Sequence, residues 1–210
     1  MGRPWLSHRH ANLLFSILLR PHGMDVEDVF SLTMVLALAT IYSIESFSPL
    51  SPGIKWPNDI YLGQKKLGGI LTEVLARGRQ VDYAVLGLGL NVNWRPENNG
   101  SLLYPTTSIS AEYGRKVSRE DLLLGILTRF ESFYKEVLNG EFHDFHQRLN
   151  ERAVFLGREV EVETAEEKVS GIAVRMDSKG ALIVKNGEGV EQRVLCGDVR
   201  VKFPVNGYTP

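Results

Sequence analysis

The sequence predicts an α+β fold in which a mixed β-sheet with packed helices is followed by a small C-terminal β-barrel. An apolar run at 29–44 has the length of one buried helix, and the apolar run at 81–92 indicates a strand buried on both faces. After Arg152 the pattern changes to short alternating runs separated by tight turns, which is typical of a small barrel. We therefore predict two domains, at 1–152 and 153–210.

The individual elements follow from local signals. Residues 20–23 break the first apolar run, and Asp25 is expected to cap the long helix that follows. Ser118 begins a capping box and opens a later helix. Strands are predicted at 12–19, 54–56, 60–62, 66–75 and 81–92, and then at 159–163, 169–176, 181–184, 192–195 and 199–201. Helices are predicted at 25–46, 107–113, 118–138 and 142–149.

The composition is that of an ordinary globular protein, with 43% hydrophobic and 23% charged residues. The net charge of -1 provides no field that would attract nucleic acid or a membrane surface, so neither is expected as a partner. Cys196 is the single cysteine and cannot form an internal disulfide, and no export signal follows Met1. We therefore expect a cytoplasmic protein.

The sharpest motif is Lys55-Trp56-Pro57-Asn58-Asp59. Proline fixes φ and Asn-Asp favours a bend, so the segment can be a plain turn between two strands. A lysine, an amide and a carboxylate around a rigid corner can also face an anion and its metal together. The spacing alone leaves both interpretations open.

Two strands that contain glycine predict a slot for a flat ligand. Lys66 precedes Gly68-Gly69, where a ligand can lie against the backbone; the alternative is a basic hairpin tip before a bulged strand. Gly87, Gly89 and Asn91 share one strand face by the two-residue period, which indicates a pocket with one polar end. No third glycine opens a helix, so this is not a dinucleotide fingerprint.

Together these motifs resemble the biotin–protein ligases, and the resemblance covers almost the whole chain. It implies the class II synthetase-like biotin/lipoate ligase fold with an SH3-like C-terminal domain. The matching segments of the first domain are Gly2-Arg3-x-Trp5-x-Ser7, Asn12-Leu13, Leu19-Arg20-Pro21, Lys55 to Asp59, Lys66 to Glu73, Gly87-x-Gly89-x-Asn91-x-Asn93 and Thr107-Ser108-Ile109. Those of the second domain are Gly157 to Val160, Gly171-Ile172, Gly180-Ala181-Leu182 and Gly197-Asp198-Val199.

The resemblance implies an ATP-dependent, AMP-forming ligase. The carboxylate of biotin attacks the α-phosphate of ATP, with Mg²⁺ screening the phosphates, and gives biotinyl-5'-AMP and pyrophosphate. A lysine of a biotin carboxyl carrier protein, such as that of acetyl-CoA carboxylase, then accepts the biotin and AMP leaves. Catalysis of this kind rests on positioning and charge stabilisation.

The resemblance also implies roles for particular residues. Lys66 is the catalytic candidate, because its ammonium would bring two anions together. The candidates for biotin binding are Trp5, Lys66, Gly69, Leu71, Gly87 and Gly89. The candidates for nucleotide binding are Arg3, Asn58, Asp59, Asn91 and Lys202, and those for the metal are Asp59 and Asn91.

Gly2-Arg3 resembles the end of a Gly/Arg-rich loop in the family, so we expect the N-terminal part of the catalytic domain to be missing. Biotin activation by this chain alone is then expected to be weak or absent. A non-catalytic or split-enzyme fragment that binds the carrier domain or a complementary half is the first alternative, and a lipoate-type ligase is the second. The resemblance leaves two further partners open: a second copy of the chain in a homodimer, or a complementary N-terminal chain.

Overall fold

The computed structural model describes residues 5, 7, 9–94, 105–140 and 145–203. Two five-stranded antiparallel sheets, with helices packed on the first, confirm the α+β fold class. The first sheet has the order β1-β5-β4-β3-β2. Its strands are β1 (Leu13–Leu19), β2 (Gly53–Lys55), β3 (Asp59–Leu62), β4 (Lys65–Arg77) and β5 (Gln80–Leu90).

Four α-helices belong to the described residues: α1 (Val29–Phe47), α2 (Ile109–Tyr113), α3 (Arg119–Leu138) and α4 (Phe145–Glu151). A 3-10 turn at Val26–Asp28 precedes α1. The apolar helix α1 lies between the first sheet and α3, which explains why it is hydrophobic around most of its circumference. Its Thr33 hydroxyl lies 2.7 Å from that of Thr72 in β4.

Among the described residues, one helical segment, Val26–Phe47, is long and apolar enough to cross a membrane by length and composition. In the fold, 67% of this apolar stretch is buried inside the protein. The burial agrees with the expectation of a core helix.

The start of α1 differs from the prediction. Asp25 makes no side-chain hydrogen bond to the helix, so the expected cap is wrong. Its carboxylate instead accepts a hydrogen bond from Gln80 at 2.8 Å, because the backbones of these two residues pair in an isolated bridge. The predicted start of α3 is confirmed, since the Ser118 hydroxyl accepts from the backbone N–H of Asp121 at 3.1 Å.

The second sheet has the order β10-β6-β7-β8-β9 and forms the SH3-like part of the fold. Its strands are β6 (Glu159–Glu163), β7 (Lys168–Met176), β8 (Leu182–Lys185), β9 (Glu191–Val194) and β10 (Asp198–Val201). Each of them lies within one residue of the predicted bounds. The alternation of the sequence places Val160, Val162 and Val199 in the interior.

The two sheets meet along a joint, which we define as Ile54, Trp56, Asn150 and the β7–β8 turn at 176–181. The backbone N–H of Ile54 donates to Arg152 at 2.7 Å. The Trp56 indole is fully buried and its N–H donates to the carbonyl of Gly180 at 2.9 Å. Asn150 donates to the carbonyl of Met176 at 3.0 Å and accepts from its N–H at 2.7 Å. The corner predicted at 55–59 is therefore held from the second sheet.

Candidate active site

The predicted glycine slot lies on the face of the first sheet that points away from α1. Asp59, Gly69, Gly89 and Leu14 are in register across β3, β4, β5 and β1, so their side-chain positions share this face. Leu71, Gly87 and Ser16 form the adjacent row. Three of the seven positions are glycine, which lowers the middle of the face into a groove. We call these two rows the slot.

Lys66 and Asp59 form an ion pair at one end of the slot. The Lys66 ammonium lies 2.5 Å from the Asp59 carboxylate, and the two side chains are 27% and 18% exposed. A Cβ at Gly69 would lie 3.2 Å from the carboxylate and 3.5 Å from the ammonium, so the missing side chain makes room for the pair. A half-buried ammonium beside an open groove can attract an anion more strongly than a fully solvated one.

Trp5 lies against Gly89 in the same slot. A Cβ at Gly89 would lie 2.8 to 3.0 Å from three carbons of the indole, so only glycine permits this contact. The indole Nε1 is buried and has no hydrogen-bond partner among the described residues. The structure thus brings together Trp5 and Gly89, two of the six predicted biotin contacts, and leaves the indole N–H without a partner in the described part of the chain.

Asn91 follows β5 at the polar end of the slot and is 2% exposed. Its side-chain N–H donates to the carbonyl of Thr107 at 3.1 Å, while its Oδ1 is buried without a partner in the described part of the chain. Asn12 is in a similar state: its Oδ1 accepts from the N–H of Val92 at 3.3 Å and its Nδ2 is unpaired within that part. Such orphaned groups are rare in native proteins, and each calls for an explanation such as a catalytic role or a bound ion.

Two other candidates, Asn58 and Lys202, form bonds within the fold. The Asn58 side chain donates to the carbonyl of Ile70 at 2.6 Å, so its N–H holds the corner onto β4. Lys202 pairs with Glu159 at 2.7 Å and its side chain is 67% exposed, so its ammonium is engaged within the second sheet. Arg3 lies outside the described residues. Leu71 is 61% exposed on the slot face.

The predicted metal donors are a single carboxylate and a single amide oxygen. Within the described ranges, no group of three or more His, Cys, Asp or Glu side chains could hold an ion by itself. Asp59 and the orphaned Oδ1 of Asn91 are hard oxygen donors, the type that Mg²⁺ prefers. Mg²⁺ often keeps water and phosphate ligands and takes only one or two protein groups, so these residues fit an ion that arrives with a nucleotide.

Two residues at the site were not predicted from the sequence as candidates. Thr107 is 2% exposed and its backbone contacts both Lys66 and Asn91. Glu112 binds the Thr107 hydroxyl and Lys65. The sequence signals were the Thr107-Ser108-Ile109 match and the Ser/Thr-rich start of a short helix, and neither reveals that Thr107 contacts Lys66, 41 positions away.

Two family models match the chain. Residues 1–91 match the Biotin/lipoate A/B protein ligase family, and residues 155–202 match the Biotin protein ligase C terminal domain. In solved structures, the chain is similar to the biotin protein ligase from Aquifex aeolicus in complex with biotin and ATP. That comparison has 31% identity and a TM-score of 0.83, and covers 95% of this chain and 82% of the other.

Curated proteins that are similar to the chain point to the same family. The bifunctional ligase/repressor BirA of Bacillus subtilis is 31% identical over 202 residues, which are 96% of this chain and 62% of the relative. The chain thus spans 62% of the length of that relative. The biotin--[acetyl-CoA-carboxylase] ligase of Paracoccus denitrificans is 27% identical, with coverage of 90% of this chain and 79% of the relative.

Proposed function

The chain belongs to the biotin protein ligase family, and from this premise we propose that it activates biotin with ATP and transfers it to a carrier lysine. The product of the first step is biotinyl-5'-AMP with pyrophosphate, and the acceptor in the second is a biotin carboxyl carrier protein. The observation that carries the proposal is the Lys66–Asp59 pair at the end of a slot lined by glycine.

Lys66 would offset the main electrostatic barrier of the first step, which is the repulsion between a carboxylate and a triphosphate. Two like unit charges at 4 Å repel by ~4 kcal/mol at the effective dielectric near a protein surface. An ammonium has three donors, so Lys66 can bond the biotin carboxylate and a phosphate oxygen together. Asp59 holds the ammonium in place until the anions bind.

The slot suits the rest of biotin. Gly69 and Gly87 leave the backbone open, Leu71 offers an exposed apolar side chain, and Trp5, which covers Gly89, provides a large stiff face. A ligand with a flat fused ring and an alkyl chain can cover these groups and remove apolar area from water. That burial supplies affinity of ~25 cal/mol per Å².

The unpaired Oδ1 of Asn91 suits the nucleotide. The Oδ1 of Asn91 would accept an N–H from a base or ligate Mg²⁺ together with Asp59. When bound, Mg²⁺ would neutralise the phosphates and make the pyrophosphate a better leaving group. Arg3, Asn58 and Lys202 are proposed as further nucleotide contacts on the family resemblance alone.

We also propose the division of the chain at 152/153 and a cytoplasmic location. The division is supported by the change from the helix-covered sheet to the second sheet. A lipoate-type ligase remains a second candidate, because the family model at 1–91 is described for both biotin and lipoate ligases. The match at 155–202 to a biotin protein ligase domain favours biotin.

The test is substrate-dependent pyrophosphate release by the purified chain. We expect release that requires both biotin and Mg·ATP and that lipoate does not compete away. Release with lipoate and not with biotin would favour the second candidate. No release with either acid, together with no binding of biotin by calorimetry, would contradict the proposed function.

A further inference from the structure

Thr107 connects two of the proposed site residues. Its backbone N–H donates to the carbonyl of Lys66 at 2.9 Å, and its carbonyl accepts from the Asn91 side chain at 3.1 Å. The N–H of Lys66 donates to Pro105 at 2.8 Å, and Lys66 pairs with Thr106 in a parallel bridge. Residues 105–107 therefore continue the ladder alongside β4 at the point where β5 has ended.

Glu112 fixes the side chain of Thr107. The Thr107 hydroxyl donates to the Glu112 carboxylate at 2.6 Å, and the Lys65 ammonium lies 2.9 Å from the same oxygen. Thr107 is buried, whereas the Lys65 side chain is 52% exposed. The exposed ion pair contributes little, so the bond to Thr107 is the important one.

The pKa of Glu112 agrees with this geometry. The hydrogen bond from Thr107 and then the one from Lys65 lower its pKa from the ordinary value of 4.5. Glu112 is thus ionised at neutral pH and accepts a charge-assisted hydrogen bond, which is shorter and stronger than a neutral one.

We propose that Glu112 is a positioning residue of the active site, which acts through Thr107 to keep Lys66 and Asn91 in register for the two substrates. The inference rests on the proposed function. Its physical reason is that catalysis by positioning is sensitive to displacements of about 1 Å. Glu112 itself touches neither substrate in this account.

Five variants of the full chain test the proposal: Glu112→Ala, Glu112→Gln, Thr107→Val, Thr107→Ser and Lys65→Ala. We expect Glu112→Ala and Thr107→Val each to lower kcat for pyrophosphate release about tenfold, with little change in KM for biotin. Glu112→Gln and Thr107→Ser keep the hydrogen bond and should restore most of kcat. Lys65→Ala is the matched control, because it removes the ion pair and leaves the Thr107 bond.

A double variant separates positioning from general damage. If Glu112 acts through Thr107, then Glu112→Ala with Thr107→Val is no slower than either single variant. Additive losses, equal effects of Glu112→Ala and Lys65→Ala, or a loss of kcat that follows only the fall in Tm would overturn the proposal.

A second readout does not depend on activity. The amides of Lys66 and Thr107 are hydrogen-bonded across this short ladder, so Glu112→Ala should speed their hydrogen exchange and Lys65→Ala should not. If the wild-type chain neither releases pyrophosphate nor binds biotin, the proposed function fails, and faster exchange still supports the link from Glu112 to Lys66. Unchanged exchange at both amides would overturn the link whatever the activity is.

Discussion

The slot and the joint between the two sheets differ in whether their buried polar groups have hydrogen-bond partners. In the slot and at its polar end, Trp5 Nε1 and Asn91 Oδ1 are buried without a partner among the described residues. In the joint, the Trp56 N–H reaches Gly180 at 2.9 Å and both ends of the Asn150 amide are bonded to Met176. Two tryptophans with the same chemical groups thus end in different states.

The difference shows which region is optimised for stability. A buried polar atom without a partner costs ~1–3 kcal/mol, so a sequence that leaves two of them at a groove gives up stability there. The glycines differ in the same way: Gly69 leaves space beside charged groups, whereas Gly180 leaves space that the Phe30 ring fills. We interpret the slot as a region that a ligand completes and the joint as one that is already complete.

The largest expected effect is on activity and comes from Lys66→Ala. Loss of the ammonium should lower the rate of pyrophosphate release about a thousandfold, because one preorganised group that stabilises charge contributes ~3–4 kcal/mol. Stability should change by less than ~1 kcal/mol, since the ion pair is partly exposed. Kinetics and urea unfolding of the same variant, with Lys65→Ala as control, would check this. A large loss of stability would mean that the slot stabilises the fold as the joint does.

The largest expected effect on stability comes from Gly180→Ala in the joint. The new Cβ would lie 1.9 Å from the Phe30 ring, and φ is +79. Overpacking and left-handed strain together should cost ~3 kcal/mol in urea unfolding. Gly189→Ala is the control, because φ is +85 there and the nearest contact is an ordinary 3.7 Å. Equal costs for the two variants would mean that the Phe30 contact does not stabilise the joint.

Gly89→Ala should act on binding more than on stability. Its Cβ would force the Trp5 indole to move, which should weaken biotin binding about tenfold and change the tryptophan fluorescence. Gly87→Ala places its Cβ no closer than 3.6 Å to any neighbour, so the fluorescence should stay as in the wild type. Calorimetry would measure the loss of biotin binding, and emission spectra would measure the change in tryptophan fluorescence. Identical spectra for both variants would count against the Trp5 contact.

The smallest effect concerns pH. The hydrogen bonds from Thr107 and Lys65 lower the pKa of Glu112 below 4.5, so its contribution to stability is present above that value. This contribution is lost as pH falls through the lower, folded-state pKa. The stability difference between the wild type and Glu112→Ala should therefore be constant near neutral pH and shrink below 4.5. A difference that grows on acidification would have the wrong sign.

Much of the fold could be predicted, because its signals are local. The two-residue period placed Gly87 and Gly89 on one face, and the Ser118 capping box marked the start of α3. The Asp25 cap does not form because the carboxylate accepts a hydrogen bond from Gln80, which is 55 positions away. A local signal is reliable only where no distant partner competes for the same group.

The site could be predicted only in part, for the same reason. The motif containing Trp56 was recognised, but its partner Gly180 is 124 positions away. Glu112 carries no motif at all, and its link to Lys66 exists only because residues 105–107 pair with the start of β4. Which side-chain atoms are left unpaired among the described residues, such as the Oδ1 of Asn91, is likewise a property of the whole fold.

The most direct test of the central claim is biotin transfer to a carrier domain, detected with streptavidin after incubation with biotin and Mg·ATP. It has two arms: the wild-type chain and the Lys66→Ala variant. We predict transfer in the first arm that is lost in the second. Transfer that is unaffected by the loss of Lys66, or no transfer in either arm, would contradict the assignment of the slot as the active site.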